Sequence, residues 1–462
     1  MHKVVMIRRL IGLSCVILLF PSVICSQENK EIKIDLNKAI EIALSESPTI
    51  QVANKEIEKK KYAKKGAYAP LFPQINISGD YNRTLKKQMM YMDGAFGDMP
   101  GGEAPETDVP AMDPSAGIEV GRNNNWTVGA SFSLPIVAPI LWKSLEVSAI
   151  DVELAVEAAR SSKISMVNQV KKGFYGVLLA QDSYTVFKLS YDNAMLNYVD
   201  VKQKYAQGLV AEYDLIRADV QVKNIEPNLF QAENAHTLAL WRLKALLGVD
   251  LELNMQCVGS LTDFEADMYA NYLATDTSLV NNTDLKQIDL QKDMLGKTLQ
   301  MQKFEYLPTL SLSGVYQYTS MNNDFKFSTY KWNPYSMIGV KLNIPIFAGG
   351  ARKHKIAQTR VSIEQIQLQR EDLNRNLQLA VKQQMDNMNT SVKQFSASQQ
   401  AVKQAERGNL IAQKRYETGV ATLLELNDAD LSLTRARLTF NQSIFDYMVA
   451  KSDLEKTLGE QK

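Results

Sequence analysis

Glu425 and Asp428 are two carboxylates close enough in sequence to act together on ions. They lie three apart, so a helix sets both carboxylates on one face. Such a pair attracts cations and repels anions. Asp214 and Arg217 repeat the spacing with opposite charges. A pair of that kind can bridge neighbouring helices. The plainer reading of both pairs is a solvated helix face.

Other chemistries find few residues to carry them. The histidines are His2, His236 and His354, and the cysteines are Cys15, Cys25 and Cys257, all isolated in sequence. They supply neither a disulfide framework nor a metal set. Gly296-Lys297-Thr298 has the end of a phosphate-binding loop, but Gln291 stands where the motif needs its first glycine. Met89, Met90, Met92, Met99 and Met112 cluster in one stretch. Thioethers bind soft metals, yet a loop with incidental methionines explains the cluster as well. No Gly-x-Ser-x-Gly elbow and no Ser-His-Asp arrangement is readable. With 52 Lys and Arg against 51 Asp and Glu, no basic excess exists to hold nucleic acid. The expectation is a chain that is not an enzyme and carries no metal or cofactor.

The elements that must position the acidic pairs come in two copies. Pro73-Gln-Ile-Asn-Ile-Ser78-Gly79-Asp-Tyr81 parallels Pro308-Thr-Leu-Ser-Leu-Ser313-Gly314-Val-Tyr316 at an offset of 235. Gly129 to Ile136 parallels Gly339 to Ile346 at an offset of 210. Tyr205-Ala-Gln-Gly208 parallels Tyr416-Glu-Thr-Gly419 at 211. A fixed period of this kind marks a duplicated structural unit. The fall in offset by 25 places an insertion between Tyr81 and Gly129. That stretch, rich in Gly, Pro and Asp, reads as a long loop over 85–124. The chain divides into a first repeat over 26–248, a linker or equatorial segment over 249–282, and a second repeat over 283–462.

Each repeat holds two segments of period two, at about 73–84 and 125–135, then 308–319 and 335–346. Ile75, Ile77, Gly79 and Tyr81 alternate with Asn76, Ser78, Asp80 and Asn82. Trp126, Val128, Ala130, Phe132 and Leu134 alternate with small polar residues. Lengths of ~9–11 residues with aromatic ends suit strands that cross a bilayer at a tilt. Four strands are too few to close a barrel, and an open edge in lipid leaves backbone groups unpaired. Strands in a membrane therefore require two, three or four copies.

Between Pro139 and Pro227 there is no proline, and no turn signal before Gly208. One helix can cover 140–206, about 100 Å at 1.5 Å per residue. A second can cover 351–418. Val167, Val170, Phe174 and Val177 give the spacing of a packed seam. Pro227 is expected to bend the following helix over 212–248. Shorter helices over 36–66 and 283–306 complete the units. A shorter helix of each kind, stacked end to end, matches one long helix.

Lys3, Arg8 and Arg9 precede an apolar run from Leu10 to Phe20, the pattern of a signal peptide over 1–25. The alternative at this end is a lipoprotein acylated at Cys25, with Ile24 out of place for it.

The opening Asp35-Leu-Asn-Lys-Ala-Ile-Glu-Ile-Ala-Leu-Ser-Glu-Ser-Pro48 resembles TolC-family outer-membrane efflux proteins, the outer membrane factors. So do Tyr68-Ala-Pro-Leu-Phe-Pro73, Phe174-Tyr-Gly-Val-Leu-Leu-Ala-Gln181 and Tyr416 to Ala429. The resemblance implies an α+β membrane protein built from a duplicated unit of helix, strand, strand, long helix and helix. It implies a homotrimer with a twelve-stranded barrel in outer-membrane lipid and a long α-helical barrel in the periplasm of a Gram-negative cell. It further implies a passive conduit for efflux or type I secretion. The partners would be a periplasmic adaptor and an inner-membrane transporter of the RND or ABC class. Carried onto this sequence, Glu425 and Asp428 form an acidic ring at the pore entrance, and Asp214 with Arg217 is a pair that closes it. Gly208, Leu209, Gly419 and Val420 form the periplasmic tips that meet the adaptor. Ala421 stands where members often have a basic residue. The competing reading is a surface-anchored coiled-coil structural or adhesive protein, which explains the helices but not the duplicated strands.

Overall fold

The computed structural model describes residues 32–91, 118–269 and 277–460. The signal segment over 1–25 and Met92, Met99 and Met112 lie outside these residues.

Strand β1 (Ile32–Ile34) leads into α1 (Leu36–Glu46), which Asp35 caps by accepting from the Lys38 N–H. The expected single helix over 36–66 is two, because Pro48 opens α2 (Pro48–Gly66) and holds Ser47 extended. Strands β2 (Gln74–Arg83), β3 (Gln88–Met90), β4 (Ile118–Val120) and β5 (Asn124–Val137) follow. Within the long loop expected over 85–124, β3 and β4 pair antiparallel and extend the hairpin of β2 and β5. Three-residue strands are too short to show a period in sequence.

Helix α3 (Pro139–Ala206) runs 68 residues and begins on a proline, whose missing N–H would have no helical partner there. Helix α4 (Glu212–Leu247) continues through Pro227, which gives up one bond to Lys223 without ending the helix. The segment joining the repeats is folded. Its β6 (Met255–Cys257) pairs parallel with β1, and a short α5 (Glu265–Met268) follows. The second repeat supplies α6 (Thr283–Phe304), β7 (Thr309–Asn322), β8 (Asn333–Asn343), α7 (Ala351–Glu417) and α8 (Leu423–Leu458). β8 ends ahead of Pro345, which has no N–H to offer a ladder.

The main sheet has the order β2-β5-β7-β8, antiparallel throughout. Its register sets Ile77 opposite Ala130, Ala130 opposite Tyr316, Phe132 opposite Gly314, and Gly314 opposite Ile338. Residues directly opposite share a face, so one side is apolar across all four strands. The other carries Asn76, Ser78, Ser131, Ser133, Ser313, Gln317 and Lys341 by the same register. Ile77 and Ile338 are 82% and 76% exposed on the apolar side.

Helix neighbours change midway along the chain's length. Near the sheet α3 packs between α2 and α6, and α6 against α7. Beyond that, α3 packs between α4 and α8, and α8 against α7. Gly248 at the end of α4 abuts Glu46–Pro48, and Gly459 at the end of α8 abuts Asn281 and Asn282. So α4 continues into α2, and α8 into α6, alongside the two long helices. The core lies at this junction. Val170, Phe174, Val177 and Leu178 of α3 are buried against Ile444, Tyr447, Leu454 and Leu458 of α8. Val170, Phe174 and Val177 are the expected seam, with Val167 half-buried at its edge. Asn168 donates to Ser452 and Asp453, Lys172 pairs with Asp453 at 3.0 Å, and Lys171 with Glu455 at 2.6 Å.

Candidate functional site at the helical tips

Both long helices end in the same way. The Gly208 N–H donates to Tyr205 and the Leu209 N–H to Lys204. The Gly419 N–H donates to Tyr416 and the Val420 N–H to Arg415. This bond pair needs a left-handed residue at the glycine. Gly208 and Gly419 supply it with φ of 73° and 76°. The residue after each glycine is apolar and left in water, Leu209 at 69% and Val420 at 67% exposed. In such caps that residue frequently packs back on the helix; here the two form the apolar points of the tips.

The return helices start differently. Thr422 caps α8 by accepting from the Glu425 N–H at 3.3 Å, and its hydroxyl also donates to the Glu425 carboxylate at 3.4 Å. Ala211 at the start of α4 offers no side-chain cap. Glu425 and Asp428 are both exposed and lie on one face, as their spacing predicts, while Leu423 before them and Leu426 between them are buried. Glu425 is not a free carboxylate. Arg415 reaches across the turn from α7 and places Nη1 3.4 Å from Glu425 Oε2. Asp428 makes no ion pair among the described residues. Asp214 and Arg217 are half-buried on α4. Neither makes an ion pair among the described residues of one chain, so they do not bridge helices within it.

The tips are fastened together by residues that sequence reasoning missed. Val201, Ala218 and Leu423 are buried in a small cluster with Tyr198, Val210, Leu215 and Tyr416 around it. Lys204 pairs with Asp200 at 2.7 Å and holds its ammonium 5.1 Å from the Tyr416 ring centre. Burial raises the Tyr416 pKa, opposed by Lys204 and reinforced by Asp200 and Asp214. Further along, Asp430 of α8 accepts from Ser190 at 2.6 Å and Asn193 at 3.5 Å on α3. Burial outweighs these bonds and raises its pKa. The Thr-x-x-Glu spacing of Thr422 and Glu425 is a signal that could have found the α8 cap; the cross-helix partners need the packed pair of hairpins.

The remaining titratable candidates are packing groups. Cys257 is buried, with its thiol pushed up to about 12, and burial lowers the pKa of half-buried His236. No helix among the described residues is long and apolar enough to cross a membrane.

The family model described as "Outer membrane efflux protein" matches residues 39–249 and 274–460. The chain belongs to that family. It is an outer-membrane channel component of an efflux or secretion system, set in the outer membrane with a periplasmic helical part. The outer membrane protein TolC of Vibrio cholerae is 22% identical over 76% of this chain and 82% of its own. The fold is that of the Campylobacter jejuni CmeC outer membrane channel, with a TM-score of 0.70 at 17% identity over 94% of this chain and 86% of that one. The open-state MtrE channel of Neisseria gonorrhoeae gives 0.70 at 16% identity, over 92% and 89%. These helical and β-barrel neighbours leave the adhesive coiled-coil alternative without support.

Proposed function

We propose that the chain works as a homotrimer and as a passive conduit from the periplasm to the exterior. The observation that carries this is the sheet. β2 and β8 are edge strands, and the face they share is apolar across four strands. In lipid, unpaired edge groups cost several kcal/mol each. Four alternating strands leave β2 and β8 antiparallel, so β8 of one copy can pair with β2 of the next. Three copies then close twelve strands. The helices fit the same scheme: α7 lies at one side of the chain and α2 with α4 at the other.

In this trimer Glu425 and Asp428 line the narrow periplasmic entrance. Asp214 and Arg217 face a neighbouring chain and hold the entrance closed. Gly208, Leu209, Gly419 and Val420 meet a periplasmic adaptor, whose inner-membrane transporter of the RND or ABC class supplies the energy and selects the cargo. The conduit performs no catalysis and needs no cofactor. Detergent extraction of the outer-membrane fraction tests the assembly. A hollow three-fold particle with a native mass near three chains supports it; a compact monomer overturns it.

A further inference from the structure

We propose that Arg415 sets the charge of the pore entrance, by offsetting Glu425 and leaving Asp428 as the net carboxylate of each chain. The inference rests on the proposed placement of Glu425 and Asp428 at that entrance.

The backbone of Arg415 is held in the turn. Its carbonyl accepts the N–H groups of Val420 and Ala421 and the Thr418 hydroxyl, so the turn folds around it. It stands in the last turn of α7, and Glu425 in the first turn of α8. Those are the helix ends where a cation and an anion are respectively favoured. The neighbouring cation is already engaged, since Lys414 pairs with Glu417 at 2.7 Å. Glu425 is fixed from its other side by Thr422.

The duplicated unit gives a comparison within the chain. Lys204 occupies the place of Arg415 in the first repeat, and Asp214 that of Glu425. Lys204 pairs with Asp200 and lies against Tyr416, and makes no pair with Asp214 among the described residues. The longer, forked guanidinium is what reaches over the second turn.

Arg415 and Glu425 are 51% and 49% exposed, so the pair contributes little stability. Its consequence is for the field. A cation 3.4 Å from a carboxylate cancels most of that carboxylate's potential at the distance of a passing ion. Each chain then presents one net negative charge in place of two.

The test is the potassium over chloride permeability of the full-length trimer in planar bilayers, in a salt gradient near 0.1 M. Arg415→Ala leaves two carboxylates uncompensated and raises the ratio roughly two- to fourfold. Glu425→Gln and Asp428→Asn each remove the net charge and lower it by a similar factor. Arg415→Ala with Glu425→Gln restores the wild-type ratio. The differences shrink at 1 M salt, where the Debye length falls to about 3 Å. If the carboxylate variants change selectivity and Arg415→Ala does not, Arg415 has no part in setting the charge. If none of the variants changes it, the entrance is elsewhere and the reading beneath the inference fails.

Discussion

The Phe132 ring lies across Gly314 on the adjoining strand, so close that a methyl group at 314 would overlap it. The two residues are directly opposite on the apolar face of the sheet. The ring covers backbone that a residue without a side chain leaves bare. Gly314→Val should displace the ring and destabilise the sheet by about 1–3 kcal/mol, the usual cost of overpacking. Gly339 serves as the control, because a Cβ there meets nothing within 4 Å. Thermal unfolding of the detergent-solubilised protein reads the comparison. Equal unfolding temperatures for Gly314→Val and Gly339→Ala would contradict it.

Asp430 should make the protein behave against the usual acid trend. Its folded pKa is raised above 3.8, chiefly by burial. The protonated form therefore favours folding. That contribution is fully present below pH 3.8 and is lost as pH rises through the folded value. Asp430→Asn keeps an acceptor for Ser190 and Asn193 without the buried charge. It should flatten the pH dependence of unfolding above pH 4 and leave neutral stability equal or higher. Asp182, also raised by burial while accepting from the Leu261 N–H, contributes in the same direction. Its Asn variant separates the two. An unchanged pH profile in both variants would show that neither carboxyl titrates in this range.

The sequence announced what repeats over many residues. Strand alternation was legible because most positions on each face of β2, β5, β7 and β8 keep one character, with Val315, Met337 and Ser336 among the exceptions. The long helices were legible because no proline interrupts α3 and each of α3 and α7 stops just before a glycine turn. Short and long-range pairings were not. The parallel contact of β1 with β6 spans three residues on each side, joined over more than two hundred positions. Pro227 lies inside α4, which runs on past it as the single helix expected over 212–248. At the tips, the spacing of Glu425 and Asp428 placed them on one face, but Arg415 is ten residues from Glu425. Only the folded turn brings them together.

Cys257 should report unfolding. It is buried in β6, and its thiol is pushed up to about 12 by desolvation. Near neutral pH the buried thiol stays protonated, and the thiolate is the reactive form. Iodoacetamide should leave position 257 unlabelled in the native protein over hours and modify it rapidly in denaturant. Peptide mapping by mass spectrometry distinguishes the two states. Labelling of the native protein at the rate of a free thiol would mean that the strand pair of β1 and β6 opens in solution.

Leu209 and Val420 give the sharpest test of the tips, because they combine high exposure with no visible task inside the chain. An exposed apolar residue costs little by itself, so replacing it with a charge should leave folding nearly unchanged. In an adaptor interface the same change buries an unpaired carboxylate, at about 2–5 kcal/mol or more. Leu209→Asp with Val420→Asp should therefore assemble normally in the outer membrane, yet lose the adaptor when native membranes are cross-linked. The glycines beside them divide stability from contact. Gly419→Ala forces a Cβ into a left-handed turn, at about 1 kcal/mol, and adds almost no bulk to the surface. It should weaken the tip without abolishing capture. Capture that survives the double charge substitution would place the adaptor contact away from the apolar points, and capture lost with Gly419→Ala alone would make the shape of the turn the recognised feature.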